Sequence, residues 1–168
     1  MPISSANLTR QPKANIPKIV VRNERPCQQL IAHVRRATAG EPRLANTHQF
    51  DRVIDGRRHA FAHNGELSGI FERNDVKALR EQAIGDTDSE LAFLLLLDRL
   101  ARRGGDDLVS RFDIFSTFAA GMRELGSANF LFFDGRHLSV HADRRRFETE
   151  DGLTELREPG LNLRSFAG

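Results

Sequence analysis

The chain has 168 residues, 39% of them hydrophobic, which is enough for one ordinary domain with a buried core but too few for two full domains. The most apolar run, residues 91–97, is far shorter than the roughly 20 residues of a membrane-spanning helix, so no membrane anchor is predicted. A single cysteine, Cys27, excludes an intramolecular disulfide. With no apolar signal stretch at the start, this cysteine usage indicates a cytoplasmic protein.

Basic residues are concentrated in the opening segment. The formal net charge is +2, but residues 1–36 hold seven Lys or Arg and one acidic residue, so the remainder is net acidic. Four of the six prolines also lie there. Residues 1–29 are therefore predicted to be an extended or poorly ordered lead segment before a domain spanning residues 30–168. A basic arm can contact phosphate, but no aromatic residue precedes Phe50, so nucleic acid is not the favoured partner.

The first regular elements are predicted to be strands. Residues 30–34 form an apolar run typical of a buried strand, and small residues follow it. Residues 50–54 and 57–62 alternate like strands and flank Asp55-Gly56, a dipeptide that favours a tight type I′ hairpin turn. The sequence therefore predicts a hairpin before any helix begins.

Helices are predicted next. A short helix is expected at 75–83, a longer one from 87 to about 103, ended by two glycines, and a third at 110–125. The third has one apolar face, made of Phe115, Phe118, Ala119 and Met122. Strands return at 129–133 and 136–141, joined by a second Asp-Gly turn at residues 134–135. The order of strands, helices and strands predicts an α+β domain with helices packed on antiparallel sheet.

Two short segments contain residues that could bind an anion or an oxyanion. Arg35 lies near the end of the first predicted strand, where its guanidinium could meet a carboxylate bidentately and Thr38 could add a hydroxyl. The alternative is a strand-end arginine paired with an internal Asp or Glu. Asn64 and Gly65 follow a later strand, and the Asn side-chain amide and the Gly N–H could point at one developing oxyanion. The alternative there is an ordinary Asn-Gly turn.

A carboxylate is predicted in the first turn of the longer helix. Thr87 with Glu90 three residues later predicts a capping box, and Asp88 between them could accept the ammonium group of an amino acid. Arg35 and Asp88 together would specify a free amino acid. Three histidines, His33, His48 and His63, lie near predicted strand ends without zinc-site spacing, so hydrogen bonding is favoured, and we predict no metal and no cofactor.

Taken in order, four segments resemble the class II glutamine amidotransferases, a family of N-terminal nucleophile enzymes, and especially bacterial members that form a single domain. The matching segments are HVRRAT at 33–38, NTHQF at 46–50, FAHNG at 61–65 and DTDSE at 86–90. Gln49 replaces a proline that the family usually has. The resemblance covers about residues 30 to 145, and more weakly the tail to Leu161.

The resemblance implies a substrate and a role for each candidate residue. Glutamine, or a similar amino acid, would bind with its α-carboxylate at Arg35 and Thr38 and its α-amino group at Asp88, and Asn64 and Gly65 would form the oxyanion hole. The implied reaction is hydrolysis of the glutamine amide to glutamate and ammonia through a thioester on an N-terminal cysteine. The implied fold is a four-layer αββα sandwich of antiparallel sheets, present here in part.

The nucleophile departs from the family pattern. Met1 is followed by Pro2, and Cys27 lies inside the chain, so the resemblance implies a domain truncated at its N-terminus and inactive as a glutaminase. Loss of an opening strand would leave an unpaired sheet edge, which favours association with a second copy or a partner subunit. The alternative function is a non-catalytic module that binds an amino acid through Arg35 and Asp88.

Overall fold

The computed structural model describes Ile31 and residues 44–47, 49–104 and 106–158. Its main elements are four strands in one antiparallel sheet of order β1-β2-β3-β4, with two helices inserted between the second and third strands. The predicted order of strands, helices and strands and the α+β class are therefore confirmed. The element bounds are β1 Phe50–Ile54, β2 Arg57–Asn64, α1 Asp88–Arg103, α2 Leu108–Arg123, β3 Asn129–Phe133 and β4 Leu138–His141, with a small separate hairpin of β5 Glu148–Thr149 and β6 Gly152–Leu153.

The β1–β2 hairpin forms as predicted. Asp55 and Gly56 have φ of 51° and 72°, the left-handed values that a type I′ turn requires. The strands pair from Phe50 with Phe61 to Ile54 with Arg57. β2 continues two residues beyond its predicted end and so reaches Asn64.

The second hairpin differs from its prediction. Gly135 has φ of 89°, but Asp134 does not share the left-handed conformation expected of an Asp-Gly pair. Its carboxylate instead accepts hydrogen bonds from the backbone N–H groups of Arg136 (2.9 Å) and His137 (2.7 Å) and pairs with Arg111 of α2 (2.6 Å). Because this buried carboxylate organises the loop, β4 begins at Leu138 rather than at residue 136.

The helices are set by their caps. Thr87 caps α1, Gly104 ends it with φ of 64°, and the Asp107 carboxylate accepts from the N–H of Ser110, so α2 begins two residues earlier than predicted. The predicted apolar face of α2 is buried.

The prediction of a continuous helix at 75–83 is wrong. The chain forms two three-ten turns there, Asn74–Val76 and Arg80–Gln82. Their i to i+3 hydrogen bonds place Val76 and Leu79 on one buried side. In the part of the chain that the structure describes, no helix is both long and apolar enough to cross a membrane.

An aromatic cluster holds both helices on one face of the sheet. Phe61 of β2 stacks on Phe93 of α1 with ring centroids 5.4 Å apart, and Phe132 of β3 stacks on Phe115 of α2 at 5.8 Å. Offset pairs of this kind contribute about 0.5–1.5 kcal/mol each beyond the area they bury. The cluster fixes the position of α1, and therefore of Asp88, relative to the end of β2.

Candidate functional site

Asn64 and Gly65 lie where β2 leaves the sheet. Asn64 pairs in register with Asn129, and the Asn129 side-chain amide donates to the Asn64 carbonyl at 2.8 Å. The Asn64 side chain is exposed. The sheet partners of β2 are β1 and β3, and after Gly65 the chain enters the three-ten turn Ser68–Glu72, so the alternative of an Asn-Gly hairpin turn does not apply. The backbone at Asn64 is fixed while its amide faces solvent.

Gly65 packs directly against the connection between α2 and β3. Its φ is 152°, and a Cβ atom there would lie 1.8 Å from the Ser127 carbonyl oxygen and 2.8 Å from Nε2 of His63. The N–H of Ser127 also donates to the Glu66 carbonyl at 3.0 Å. No larger residue fits without moving this backbone, so glycine is required for packing as well as for its conformation.

The structure brings Asp88 to the segment that follows Asn64 and Gly65. Asp88 is the first residue of α1, and its Oδ2 accepts a hydrogen bond from the backbone N–H of Leu67 at 2.6 Å. Its Oδ1 accepts from the N–H of Ser89 at 2.7 Å. Asp88 is half-buried, so its carboxylate is oriented by these N–H groups and still reaches solvent. Three of the five predicted site residues therefore form one cluster.

His63 connects the same elements from below the surface. This buried ring lies 2.8 Å through Nδ1 from the Ser89 hydroxyl and 3.0 Å through Nε2 from the Ser127 carbonyl. Burial lowers the pKa of His63, which favours the neutral ring. Both ring nitrogens have hydrogen-bond partners, as predicted for a histidine at this strand end. Among the described residues, no three His, Cys, Asp or Glu side chains are arranged to hold a metal.

The predicted capping box is only half formed. Thr87 Oγ1 accepts from the N–H of Glu90 at 3.2 Å, but the Glu90 carboxylate does not return to Thr87. It accepts instead from the N–H groups of Ile84 (3.0 Å) and Gly85 (2.7 Å) and pairs with Arg52 of β1 at 2.5 Å. A carboxylate that is 1% exposed needs a counter-ion, and Arg52 supplies it. This ion pair anchors the loop that presents Thr87 and Asp88.

The remaining predicted residues lie outside the described part of the chain. They are Cys27, His33, Arg35, Thr38 and His48. Sequence reasoning also missed several residues that support the site. Ser127 and Asn129 gave no signal, because each acts through a partner distant in the chain. Ser89 lies in the matching segment DTDSE, but its partner His63 is 26 residues away. Asn46 could have been found, since it belongs to one of the four matching segments; it is fully buried, and its side-chain oxygen accepts from the N–H of Asp86 at 3.2 Å.

A cavity of about 340 Å³ lies at the opposite end of β2 and is unrelated to this cluster. Two arginines in its wall are paired: Arg57 meets Asp106 bidentately at 2.6 and 2.9 Å, and Arg111 donates to Nε2 of His59 at 3.0 Å. The Arg57 guanidinium lowers the pKa of Asp106 to about 2. Pairing of this kind supports the junction between the helices and the sheet.

These features define an α+β domain with an amide, a glycine and a helix-start carboxylate gathered at one strand end. The model of the class II glutamine amidotransferases matches residues 7–159, so the chain belongs to that family. This match begins well before residue 30, where the four segments first indicated the resemblance. It confirms the family that those segments predicted.

Several individual proteins are similar to the chain. It is 33% identical over 136 residues to the "Putative glutamine amidotransferase YafJ" of Escherichia coli (strain K12), covering 78% of this chain and 52% of that protein. It is 35% identical over 114 residues to a "Putative glutamine amidotransferase" of Haemophilus influenzae, covering 67% and 38%. The crystal structure of a predicted glutamine amidotransferase from Pseudomonas aeruginosa PA01 aligns over 63% of this chain and 44% of its own, at 30% identity and a TM-score of 0.49. The chain thus spans about half the length of the E. coli relative.

Proposed function

We propose that this chain carries a glutamine-recognition site and binds free glutamine, or a similar amino acid. The observation that carries the proposal is the hydrogen bond from the Leu67 N–H to Asp88 Oδ2 at 2.6 Å. It holds a carboxylate beside the segment that follows Asn64 and Gly65. A cation-binding group and an oxyanion-binding group are therefore neighbours, as recognition of an amino-acid amide needs.

In this proposal Asp88 receives the α-ammonium group of the ligand. An ionised carboxylate offers about four lone-pair positions. The Leu67 and Ser89 N–H groups take two of them and Ser89 Oγ lies 3.1 Å from Oδ1, so acceptor capacity remains for the ammonium group. A hydrogen bond between two charged groups in a half-buried position is worth more than a neutral one, about 1.5–3 kcal/mol.

Asn64 and Gly65 receive the side-chain amide oxygen of the ligand. The Asn64 amide is exposed while its backbone is tied to Asn129, so only the side-chain torsions of this donor need ordering on binding. Gly65 would donate its backbone N–H to the same oxygen. Two donors on one oxygen polarise the amide bond, which is the arrangement expected of an oxyanion hole.

Arg35 and Thr38 complete the site by binding the α-carboxylate. A guanidinium matches a carboxylate bidentately, and a hydroxyl can donate to the same oxygen. The roles of these two residues rest on the resemblance of the HVRRAT segment. With Asp88 they would distinguish a free amino acid from a glutamine inside a peptide, which has neither a free ammonium nor a free carboxylate.

Cys27, within the Pro26-Cys27-Gln28 sequence, takes no part in the proposed site. Its nitrogen is in a peptide bond and cannot serve as a general base. The reaction implied by the resemblance uses both a thiol and a free α-amino group on one residue. We therefore propose that Cys27 is not a nucleophile towards the bound glutamine.

The proposed fold is part of an αββα sandwich, in which a second sheet covers the face of β1–β4 opposite the helices. The strand register places Ala60, Phe133 and Leu138 side by side on that face, and Leu131 beside Val140. Leu138 and Val140 are 46% and 39% exposed. An apolar sheet face needs a second layer to bury it, which supports a sandwich.

Isothermal titration calorimetry with L-glutamine tests the binding proposal. Wild-type chain should give saturable heat, and Asp88→Asn should raise the Kd about 10-fold or more, because it removes the charge that meets the ammonium. Asp98→Asn is the matched control on the same helix: Asp98 pairs with the exposed Arg102, so binding should not change. An absence of heat from demonstrably folded wild-type chain would remove the proposal.

An ammonia-release assay tests the second half of the proposal. Cys27→Ala should leave the rate of ammonia release from glutamine unchanged. Release that disappears in Cys27→Ala would show that Cys27 acts as a nucleophile and would overturn this part of the proposal. The two assays are independent, since binding can occur without turnover.

A further inference from the structure

We infer that His63 and Ser89 are positioning residues for the Asp88 carboxylate, and that Ser89 transmits the position of the buried His63 ring to it. This inference rests on the proposed function, because Asp88 is the residue proposed to bind the α-ammonium group. The three side chains form a continuous row: His63 Nδ1 lies 2.8 Å from Ser89 Oγ, which lies 3.1 Å from Asp88 Oδ1.

The proton positions in this row follow from the groups at its ends. A backbone carbonyl can only accept, so His63 Nε2 must carry the hydrogen that bonds to the Ser127 carbonyl. In the neutral ring Nδ1 then has a lone pair and accepts from the Ser89 hydroxyl. Because a hydroxyl has one proton, Ser89 cannot also donate it to Asp88, and the link from Ser89 to Asp88 is the Ser89 N–H, which donates to Oδ1 at 2.7 Å. The hydroxyl anchors Ser89, and with it this N–H, to the His63 ring. The Asp88 oxygen that the hydroxyl faces keeps acceptor capacity for a ligand.

The row also fixes the geometry of the site. His63 is hydrogen-bonded to the Ser127 carbonyl, whose oxygen is the atom that a Cβ at Gly65 would strike. The His63 end of the row is therefore fixed relative to Gly65. Ser89 follows Asp88 in the first turn of α1, and its N–H donates to Asp88 Oδ1 at 2.7 Å. The other Asp88 oxygen accepts from Leu67. Asp88 is thus held from both sides relative to Gly65.

A ligand comparison separates positioning from general stability. Glutaramate, which is glutamine without its α-ammonium group, lacks the part that Asp88 binds. Ser89→Ala should raise the Kd of glutamine about 10-fold and leave that of glutaramate unchanged, while Ser89→Thr, which keeps the hydroxyl, should restore glutamine binding. Equal weakening of both ligands would show a merely structural role for Ser89. Ser116→Ala, which removes an exposed hydroxyl from α2, is the control.

Two substitutions of His63 test the direction of the coupling. His63→Asn keeps an acceptor near the Nδ1 position for Ser89, whereas His63→Gln keeps a donor near the Nε2 position for Ser127. If His63 acts through Ser89, His63→Asn should retain glutamine affinity better than His63→Gln. The reverse order would assign His63 to the support of Ser127 alone and overturn the inference.

A measurement without ligand keeps this inference distinct from the proposed function. Hydrogen exchange of the Leu67 amide reports its bond to Asp88, so Ser89→Ala and Asp88→Asn should both accelerate it, and Ser89→Thr and Ser116→Ala should not. Accelerated exchange without glutamine binding would retain the positioning network and reject the proposed ligand. Unchanged exchange in Ser89→Ala would reject the network, whether or not glutamine binds.

Discussion

Replacement of Gly65 by alanine should be among the most damaging single changes in the domain. The added Cβ would lie 1.8 Å from the Ser127 carbonyl oxygen and 2.7 Å from its carbon, both backbone atoms that cannot rotate away. A side chain at φ of 152° costs about 1–3 kcal/mol. Moving Ser127 would also disturb its bonds with His63 and Glu66, worth about 0.5–1.5 kcal/mol each. We expect a total loss of about 4 kcal/mol.

Urea unfolding measures this loss. With a slope near 2 kcal/mol per molar, a loss of about 4 kcal/mol lowers the midpoint by roughly 2 M. Gly121→Ala provides the control, because Gly121 lies in α2 with open space where its Cβ would be. That change should stabilise the chain by about 0.5–1 kcal/mol. A Gly65→Ala midpoint equal to that of wild type would refute the packing described for the strand end.

Three further changes test the supports of the site. Glu90→Ala should cost about 3–5 kcal/mol in urea unfolding, because it leaves Arg52 and the N–H groups of Ile84 and Gly85 without their partner. A loss below about 1 kcal/mol would contradict the anchoring role of the ion pair. Stability should decline as the pH falls below about 6.5, because burial lowers the folded-state pKa of His59 and His63 and the unfolded chain therefore binds more protons. Each of these histidines contributes at most about 1.4 kcal/mol per pH unit. Thermal unfolding at pH 7.5 and 5.5 should show the decline in wild type and a smaller one in His63→Asn. Val140→Asp, on the sheet face opposite the helices, should lower the Tm by several degrees if a second layer covers that face, and a Tm within one degree of wild type would count against the sandwich.

Local chemistry determined which elements could be predicted from the sequence. The Asp55-Gly56 turn and the Thr87 cap depend on residues within three positions of each other, and both are present. The Asp134-Gly135 turn and the Thr87–Glu90 box have the same kind of local signal, yet both changed. In each case the carboxylate forms an ion pair with an arginine of another element: Asp134 with Arg111, and Glu90 with Arg52.

The candidate site was predicted through the order of its segments rather than through any one residue. Asn64, Gly65 and Asp88 each had a local alternative, and the packing of α1 on β2 brings them together. The supporting hydrogen bonds could not be predicted, because Ser127 and Asn129 are adjacent to this cluster only after β3 pairs with β2. The roles of Arg35 and Thr38 remain predictions from the resemblance.

Titration of isotope-labelled chain with L-glutamine, followed by amide NMR, tests the central claim most directly. The claim predicts saturable shifts at the Gly65 and Leu67 amides and at the Asn64 side-chain amide, all with one Kd, and their loss in Asp88→Asn. It predicts no comparable shifts at Gly104, at the far end of α1. Saturable shifts confined to other parts of the chain, or no shifts from folded protein, would contradict the assignment of this strand end as a glutamine site.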